Sequence, residues 1–463
     1  MKAAGFPEAA VRDRAARGAA AVFPAESAYG GEAFGGVSPD GDALDRARLV
    51  PPVFVPLRLE KLIELGREPL FSDVDLTTAI GGFASSLPVF LSAFGSTQLG
   101  GGDLAVAASR QAGRLGIPMV VGENVVPVKG YANALLTRVR AYTDEVPDGL
   151  GGVVVQQSTE DADAEVWNLV YSDPASSRLL ATGRLGFELK VGQGAKPGLG
   201  GMTLLDAATA ARVDGQYALT DLFPDRVLRS GSPGTFTGEI LRQQIRLMRN
   251  NFPRARVWVK LPPGRDIAEA TRAAWAAGAD AVTVDGAEGG TGWAPTAFLD
   301  HVGLPLAECL RRIGPPSGCL LAGGRMWEGT RVVKALAHGV RAAALGRAAL
   351  LAVDEDRAEG LVRLVEALAL EARLLISALG KYRPDALTAD DLWPAAAASG
   401  AGAGAGPAAA SGAPTAASAP AAAGTGVAGA AAASASGTAA AAGAPGAAGE
   451  LPLDLPVRAV PTA

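Results

Sequence analysis

Glu188-Leu-Lys-Val-Gly-Gln-Gly-Ala-Lys-Pro-Gly-Leu-Gly-Gly201 carries an apolar strand into a glycine-rich turn that holds two lysines and a glutamine. Glycine lets a backbone adopt positive φ and approach a ligand closely. Lys196 stands between Ala195 and Pro197, which leaves its backbone little freedom. The arrangement suits a fixed cation beside a planar, electron-accepting cofactor or an anionic substrate. The alternative is a basic residue in a tight surface turn.

The same design, an apolar run with polar chemistry at its carboxyl end, recurs on both sides. Upstream lie Pro88–Gly95, Ile117–Glu123 and Val153–Gln157, and Phe187–Gln193 overlaps the quoted stretch. Downstream lie Val257–Pro262, Ala281–Gly286, Cys319–Gly324 and Ala342–Arg347. Helical periodicity fills the intervals, as in 237–250, 266–277 and 328–338. Near-continuous apolar strands with helical crossovers imply a parallel sheet covered on both faces. About eight such units in roughly 300 residues predict an α/β fold of the (β/α)8 TIM-barrel type. A doubly wound sheet is the alternative. Residues 1–85 read as a lead-in that packs on the barrel, 86–393 as the barrel domain, and 394–463 as a disordered tail. That tail is almost only Ala, Gly, Ser, Pro and Thr over 395–449, with too little side-chain area to offset its chain entropy.

In this fold the active site lies at the carboxyl ends of the strands. Ser92, Glu123, Gln156, Gln157, Lys190, Gln193, Lys196, Lys260 and Asp285 all fall there. Gly323-Gly324 and Gly346-Arg347 close the last two strands, whose loops often bind phosphate. Glycine amides without an obstructing Cβ, a guanidinium and a helix start make an anion site. A dinucleotide fingerprint is absent from these turns, which points to a mononucleotide such as FMN.

Lys190–Gly201 resembles the most specific signature of the FMN-binding synthase domain of glutamate synthase. Val259-Lys-Leu261 and Asp285-Gly-Ala-Glu-Gly-Gly-Thr-Gly292 follow at similar separations. Leu321-Ala-Gly-Gly-Arg325 resembles that family's phosphate loop, and Thr182-Gly-Arg-Leu-Gly186 an upstream Ser-Gly-Arg element. The resemblance spans roughly residues 75 to 393. It implies that Ser92 lies near the flavin ring, with Lys190, Gln193, Lys196 and Lys260 around the ring edge or the substrate carboxylate. Gly290 and Thr291 would approach the ribityl chain, and Gly323, Gly324, Gly346 and Arg347 the phosphate. A cation at the pyrimidine edge favours reduced flavin, whereas a buried lysine of lowered pKa acts as acid or base. Both roles stay open for Lys196 and Lys260, and Glu123 is the best acid/base carboxylate. Arg184 suits a substrate carboxylate or a surface ion pair.

The departures narrow the expectation. No glutamine-cleaving domain with its amino-terminal cysteine is found. Leu350-Leu-Ala-Val-Asp354 stands where the family has a three-cysteine cluster motif, and Cys309 and Cys319 are the only cysteines, so no iron–sulfur cluster is expected. Neither His301 nor His338 has metal-ligand spacing, so no metal is expected. A net charge of −5 without a Lys/Arg block indicates no nucleic-acid or membrane partner, and the chain reads as cytoplasmic. The resemblance implies an oxidoreductase acting on a CH–NH2 donor, in amino-acid metabolism such as glutamate biosynthesis. It would aminate a 2-oxo acid such as 2-oxoglutarate reductively, or run the reverse, with a separate amidotransferase or electron-donor subunit. A non-redox FMN-barrel isomerase and a non-catalytic flavin-binding scaffold are the alternatives.

Overall fold

Eight short parallel strands close into a barrel in the computed structural model, which describes residues 2–28, 32, 37, 40–93, 104–122, 131–159, 166–213, 218–291 and 293–393. Before the barrel come β1 (Arg48–Leu49), β2 (Thr78–Ile80) and β3 (Phe83–Ser85). The barrel strands are β4 (Val89–Leu91), β5 (Met119–Val121), β6 (Val153–Ser158) and β7 (Leu185–Lys190). An insertion then supplies β8 (Met202–Leu205), β9 (Ala218–Phe223) and β10 (Arg226–Ser230). The barrel resumes with β11 (Arg256–Leu261), β12 (Ala281–Asp285), β13 (Leu320–Gly323) and β14 (Ala342–Leu345), and the last strand is β15 (Leu392–Trp393). Pairing of β14 with β4 closes the ring, which excludes the doubly wound alternative. Each of the eight apolar runs read from the sequence overlaps one barrel strand.

The helices form where local chemistry starts them and an apolar face holds them. The helix Gly238–Asn251 begins at Thr237, whose hydroxyl accepts the Ile240 amide, and it buries Leu241, Ile245 and Met248. That spacing of four and three residues is one helical stripe. The helix Gly329–Ala337 packs on β14, and the 19-residue helix Gly360–Ala378 packs along it. The amino-terminal helix Glu8–Arg17 lies against that long helix, fastened by Arg14 on Glu371 at 2.8 Å. β1 pairs antiparallel with β15.

The lower end of the barrel is plugged. β2 and β3 form a hairpin through Gly81-Gly82, both at positive φ, as a two-residue hairpin turn requires. Ile80 and Phe83 of the hairpin pack with Phe90, Val154, Trp258 and Leu321 in an apolar floor. The Trp258 indole donates to the Gly81 carbonyl at 3.0 Å, and a Cβ on Gly81 would come within 2.4 Å of that indole. β8, β10 and β9, in that order, form a separate antiparallel sheet between β7 and the helix Gly238–Asn251.

Candidate functional site at the carboxyl ends of the strands

Alternate residues on a strand share a face, and along the barrel interior the chemistry changes with height. On β11, Trp258 belongs to the floor and Lys260, two residues on, is buried near the top. On β7, Glu188 is buried at mid-height and Lys190 stands beside Lys260 in register. On β12, Thr283 and Asp285 continue the series. Glu188 accepts from the Gln156 carboxamide at 2.5 Å and from the Thr283 hydroxyl at 3.1 Å. Lys260 makes a 3.0 Å ion pair with Asp285, and both side chains are nearly inaccessible to solvent. Burial lowers the pKa of the Lys260 ammonium, but Asp285 and Glu188 outweigh it and leave the pKa above the ordinary lysine value. Burial, with repulsion from Asp285, raises the Glu188 carboxyl against the opposing pull of Lys260, Gln156 and Thr283. One ammonium thus lies among two buried carboxyls.

The glycine-rich turn after β7 is laid against the loop after β12. The Gly194 amide donates to Asp285 Oδ2 at 3.1 Å, and the Ala195 amide donates to the Ala287 carbonyl. A Cβ at Gly194 would lie 2.4 Å from the Gly286 carbonyl oxygen, so only glycine permits this approach. Ala195 is held at φ +56°, a region that costs a residue bearing a Cβ energy. The Lys196 amide turns back to the Gly194 carbonyl at 2.6 Å, and the Lys196 side chain is buried. Gln193 donates to the Thr291 hydroxyl at 2.5 Å, joining the same two loops.

The loops after β13 and β14 present glycine amides and two arginines. The amides of Gly324, Arg325 and Gly346 donate no hydrogen bond among the described residues. Gly324 is buried at φ +138°, and Arg325 stands at φ +56°. Arg347 opens the helix Arg347–Glu355 with Gly346 at its N-cap. Its guanidinium stacks over the Phe6 ring at 4.6 Å and donates to the Glu288 carbonyl, with no carboxylate partner among the described residues. Burial, and then the neighbouring Arg325, pull the Arg347 pKa down from its ordinary value. A bound anion would relieve both effects. The other two arginines are already paired: Arg325 with Asp45 at 2.7 Å, and the fully buried Arg331 with Asp42, Asp45 and Glu288. A Cβ on Gly323 would lie 2.2 Å from Asp285 Oδ1, so the charged layer and the glycine pair are in contact.

Most of the residues singled out in the sequence meet at this rim. Ser92 is half-buried, donates its amide to Leu345 and faces Gly346, and Gly290 lies against Arg347. Gln193, Thr291, Lys190, Lys260, Gly323 and Gly324 share the same end, and Lys196 follows on the loop bonded to Asp285. Glu123 lies outside the described residues. Arg184 is a correction: it precedes β7 and stands at the opposite end of the barrel. It is 6% exposed, and it donates to the carbonyls of Pro147 and Leu150 and to the Thr182 hydroxyl. Glu288 accepts hydrogen bonds from the Leu306 amide and from the Arg331 guanidinium. Glu188, Gln156 and Thr283 had been given no joint role. The signal for Glu188 was present, because it shares the face of Lys190 two residues away.

The fold and rim define a (β/α)8 barrel whose strand ends carry lysines, arginines and glycine turns. Residues 176–359 match the conserved region in glutamate synthase. The archaeal-type glutamate synthase [NADPH] of Dehalococcoides mccartyi is 31% identical over 187 residues, 38% of this chain and 36% of that protein. The archaeal glutamate synthase [NADPH] of Methanocaldococcus jannaschii is 32% identical over 178 residues, 36% of this chain and 34% of that protein. The glutamate synthase large subunit-like protein of Rhizobium meliloti is 33% identical over 177 residues, 36% of this chain and 40% of that protein. The resemblance carried by Lys190–Gly201 is therefore shown: this chain contains a glutamate synthase-like synthase segment. The chain spans little more than a third of the length of these curated relatives. A soluble mutant of the membrane-associated (S)-mandelate dehydrogenase from Pseudomonas putida shares the fold at a TM-score of 0.50 and 18% identity, over 84% of this chain and 99% of that one. Among the described residues no helix is long and apolar enough to cross a membrane, and no cluster of His, Cys, Asp and Glu has the grouping of a metal site.

Proposed function

We propose that this chain is an FMN-dependent oxidoreductase related to the glutamate synthases, acting at the carbon–nitrogen bond of an amino acid or its 2-imino acid. Arg347 carries the reading. It is a half-buried guanidinium without a carboxylate among the described residues, beside glycine amides that find no acceptor there, on the rim that also bears Lys190 and Lys260. These groups fit the phosphate of a mononucleotide. Bound there, FMN would supply two-electron redox chemistry.

The chain's own residues have distinct tasks in this reading. The amides of Gly324, Arg325 and Gly346, with the Arg347 guanidinium, hold the phosphate. Gly290, Thr291, Gln193 and Ser92 line the approach from phosphate to ring. Asp285 and Glu188 keep Lys260 protonated and aimed, so that it and Lys190 balance negative charge at the ring edge. Lys196, fixed by the strained turn, binds the carboxylate of an amino acid or 2-oxo acid. Glu123 is assigned the proton transfer to or from the substrate nitrogen. The direction is reductive amination or its reverse, with ammonia from a partner amidotransferase.

The experiment is cofactor extraction from purified protein, followed by anaerobic titration with a panel of amino acids and, after reduction, with 2-oxo acids plus ammonia. Bleaching of the flavin absorbance by an amino acid, or its return with a 2-oxo acid and ammonia, is expected. A protein that takes up no FMN ends the cofactor assignment. A flavin spectrum indifferent to every amino and imino acid ends the substrate assignment alone.

A further inference from the structure

Arg184 is absent from the upper rim, yet it borders a second cavity. This space, about 360 Å³, lies at the lower mouth of the barrel beside the β2–β3 hairpin. Its wall includes Gly82, Asp148, Thr182, Gly183, Arg184 and Arg256. Arg184 is buried and pinned by three oxygens through Nε and Nη1, so its planar fork is held in place. Its Nη2 has no acceptor among the described residues. The guanidinium of Arg256, at the start of β11, makes no hydrogen bond among the described residues and meets Asp280 Oδ1 at 3.8 Å. The other oxygen of Asp280 is held by Arg249 and the Val257 amide. Asp148 is 90% exposed and is paired outward with Arg178 at 2.6 Å. Apart from the 3.8 Å contact between Asp280 and Arg256, the carboxylates around the cavity are engaged elsewhere, and two guanidiniums on its wall keep donors without a hydrogen-bond acceptor among the described residues.

We infer that this lower cavity binds a small oxyanion, a carboxylate or phosphate group, between Arg184 and Arg256. A guanidinium fork matches both groups. Immobilising one fork before the ligand arrives removes part of the ordering cost of binding. The cavity is separated from the upper rim by the floor of Ile80, Phe83, Phe90 and Trp258. It is a second site, and it does not depend on the flavin assignment.

Titration calorimetry with inorganic phosphate and, separately, with succinate tests it on the full chain, the Arg256→Gln variant and the Arg347→Gln variant. Saturable binding of at least one probe is expected. Arg256→Gln should weaken it by about tenfold or more, as loss of a charged hydrogen-bond donor does, and Arg347→Gln should leave it unchanged. Binding of phosphate alone, succinate alone or both identifies the class of oxyanion. Arg256→Lys, which keeps the charge and loses the fork, should fall between wild type and Arg256→Gln. The inference is overturned if neither probe binds. It is equally overturned if Arg347→Gln abolishes the binding while Arg256→Gln spares it, because the ion would then sit on the upper rim.

Discussion

Trp258 and Lys260 lie two residues apart on one face of β11 and have opposite surroundings. The indole sits in an apolar floor, with Phe83 and Phe90 at centroid distances of 5.7 and 5.9 Å. The ammonium sits among carboxyls. The floor gains its stability from burial and ring packing. The rim spends stability: it desolvates charges, strains Ala195 and leaves amides without acceptors. The same eight strands hold both, and the closed floor allows the rim to be built from groups that do not stabilise the fold by themselves.

The largest expected effect tests the floor. Trp258→Ala should cost about 4 kcal/mol in denaturant unfolding, because the hairpin loses both its ring contacts and its bond to the Gly81 carbonyl. A loss under about 1 kcal/mol would mean that the floor is not what holds the barrel. Next, Lys260→Met should cost about 3 kcal/mol at neutral pH by stranding Asp285 and Glu188. Adding Asp285→Asn should recover much of that loss. Two purely additive losses would deny the coupling.

Glu328 sharpens the contrast through pH. It begins the helix above β13, where burial and then repulsion from Glu371 and Asp45 push its carboxyl up to about 7. The folded state therefore holds this proton more tightly than the unfolded chain does. The stability it contributes is present in full below the ordinary carboxyl value and is lost as pH rises through about 7. From about pH 4.5 to about pH 8 the wild type should lose roughly 2 kcal/mol on this account, and Glu328→Gln should give the flatter profile. Parallel profiles in urea unfolding would reject it. The smallest effect is Arg347→Gln, which should weaken FMN binding about tenfold, or 1.4 kcal/mol, and leave the melting temperature of the cofactor-free protein nearly unchanged.

The floor and the rim were not equally legible in the sequence. The strands announced themselves, because a strand buried on both faces must be apolar throughout and glycine or polar residues mark its end. The rim lysines and glycine pairs could be read for the same reason. Glu188 was not legible as part of the rim, since a carboxylate inside a barrel is intelligible only beside the Lys260 of the neighbouring strand. Arg184 was misplaced because an arginine one residue before a strand and a lysine at its end look alike as text, though the length of β7 separates them. Asp42 and Asp45 gave no sign of their role, because their partner Arg331 lies almost the whole barrel away in sequence.

That last separation bears on how the protein is made. Asp42 and Asp45 bond to Arg331 across 289 and 286 residues. At translation rates of about 5–20 residues per second, the two acids leave the ribosome some 15 to 60 seconds before their guanidinium exists. Until then Asp42 and Asp45 have neither Arg325 nor Arg331 to close on, and the upper mouth of the barrel is finished only when one of its last helices arrives.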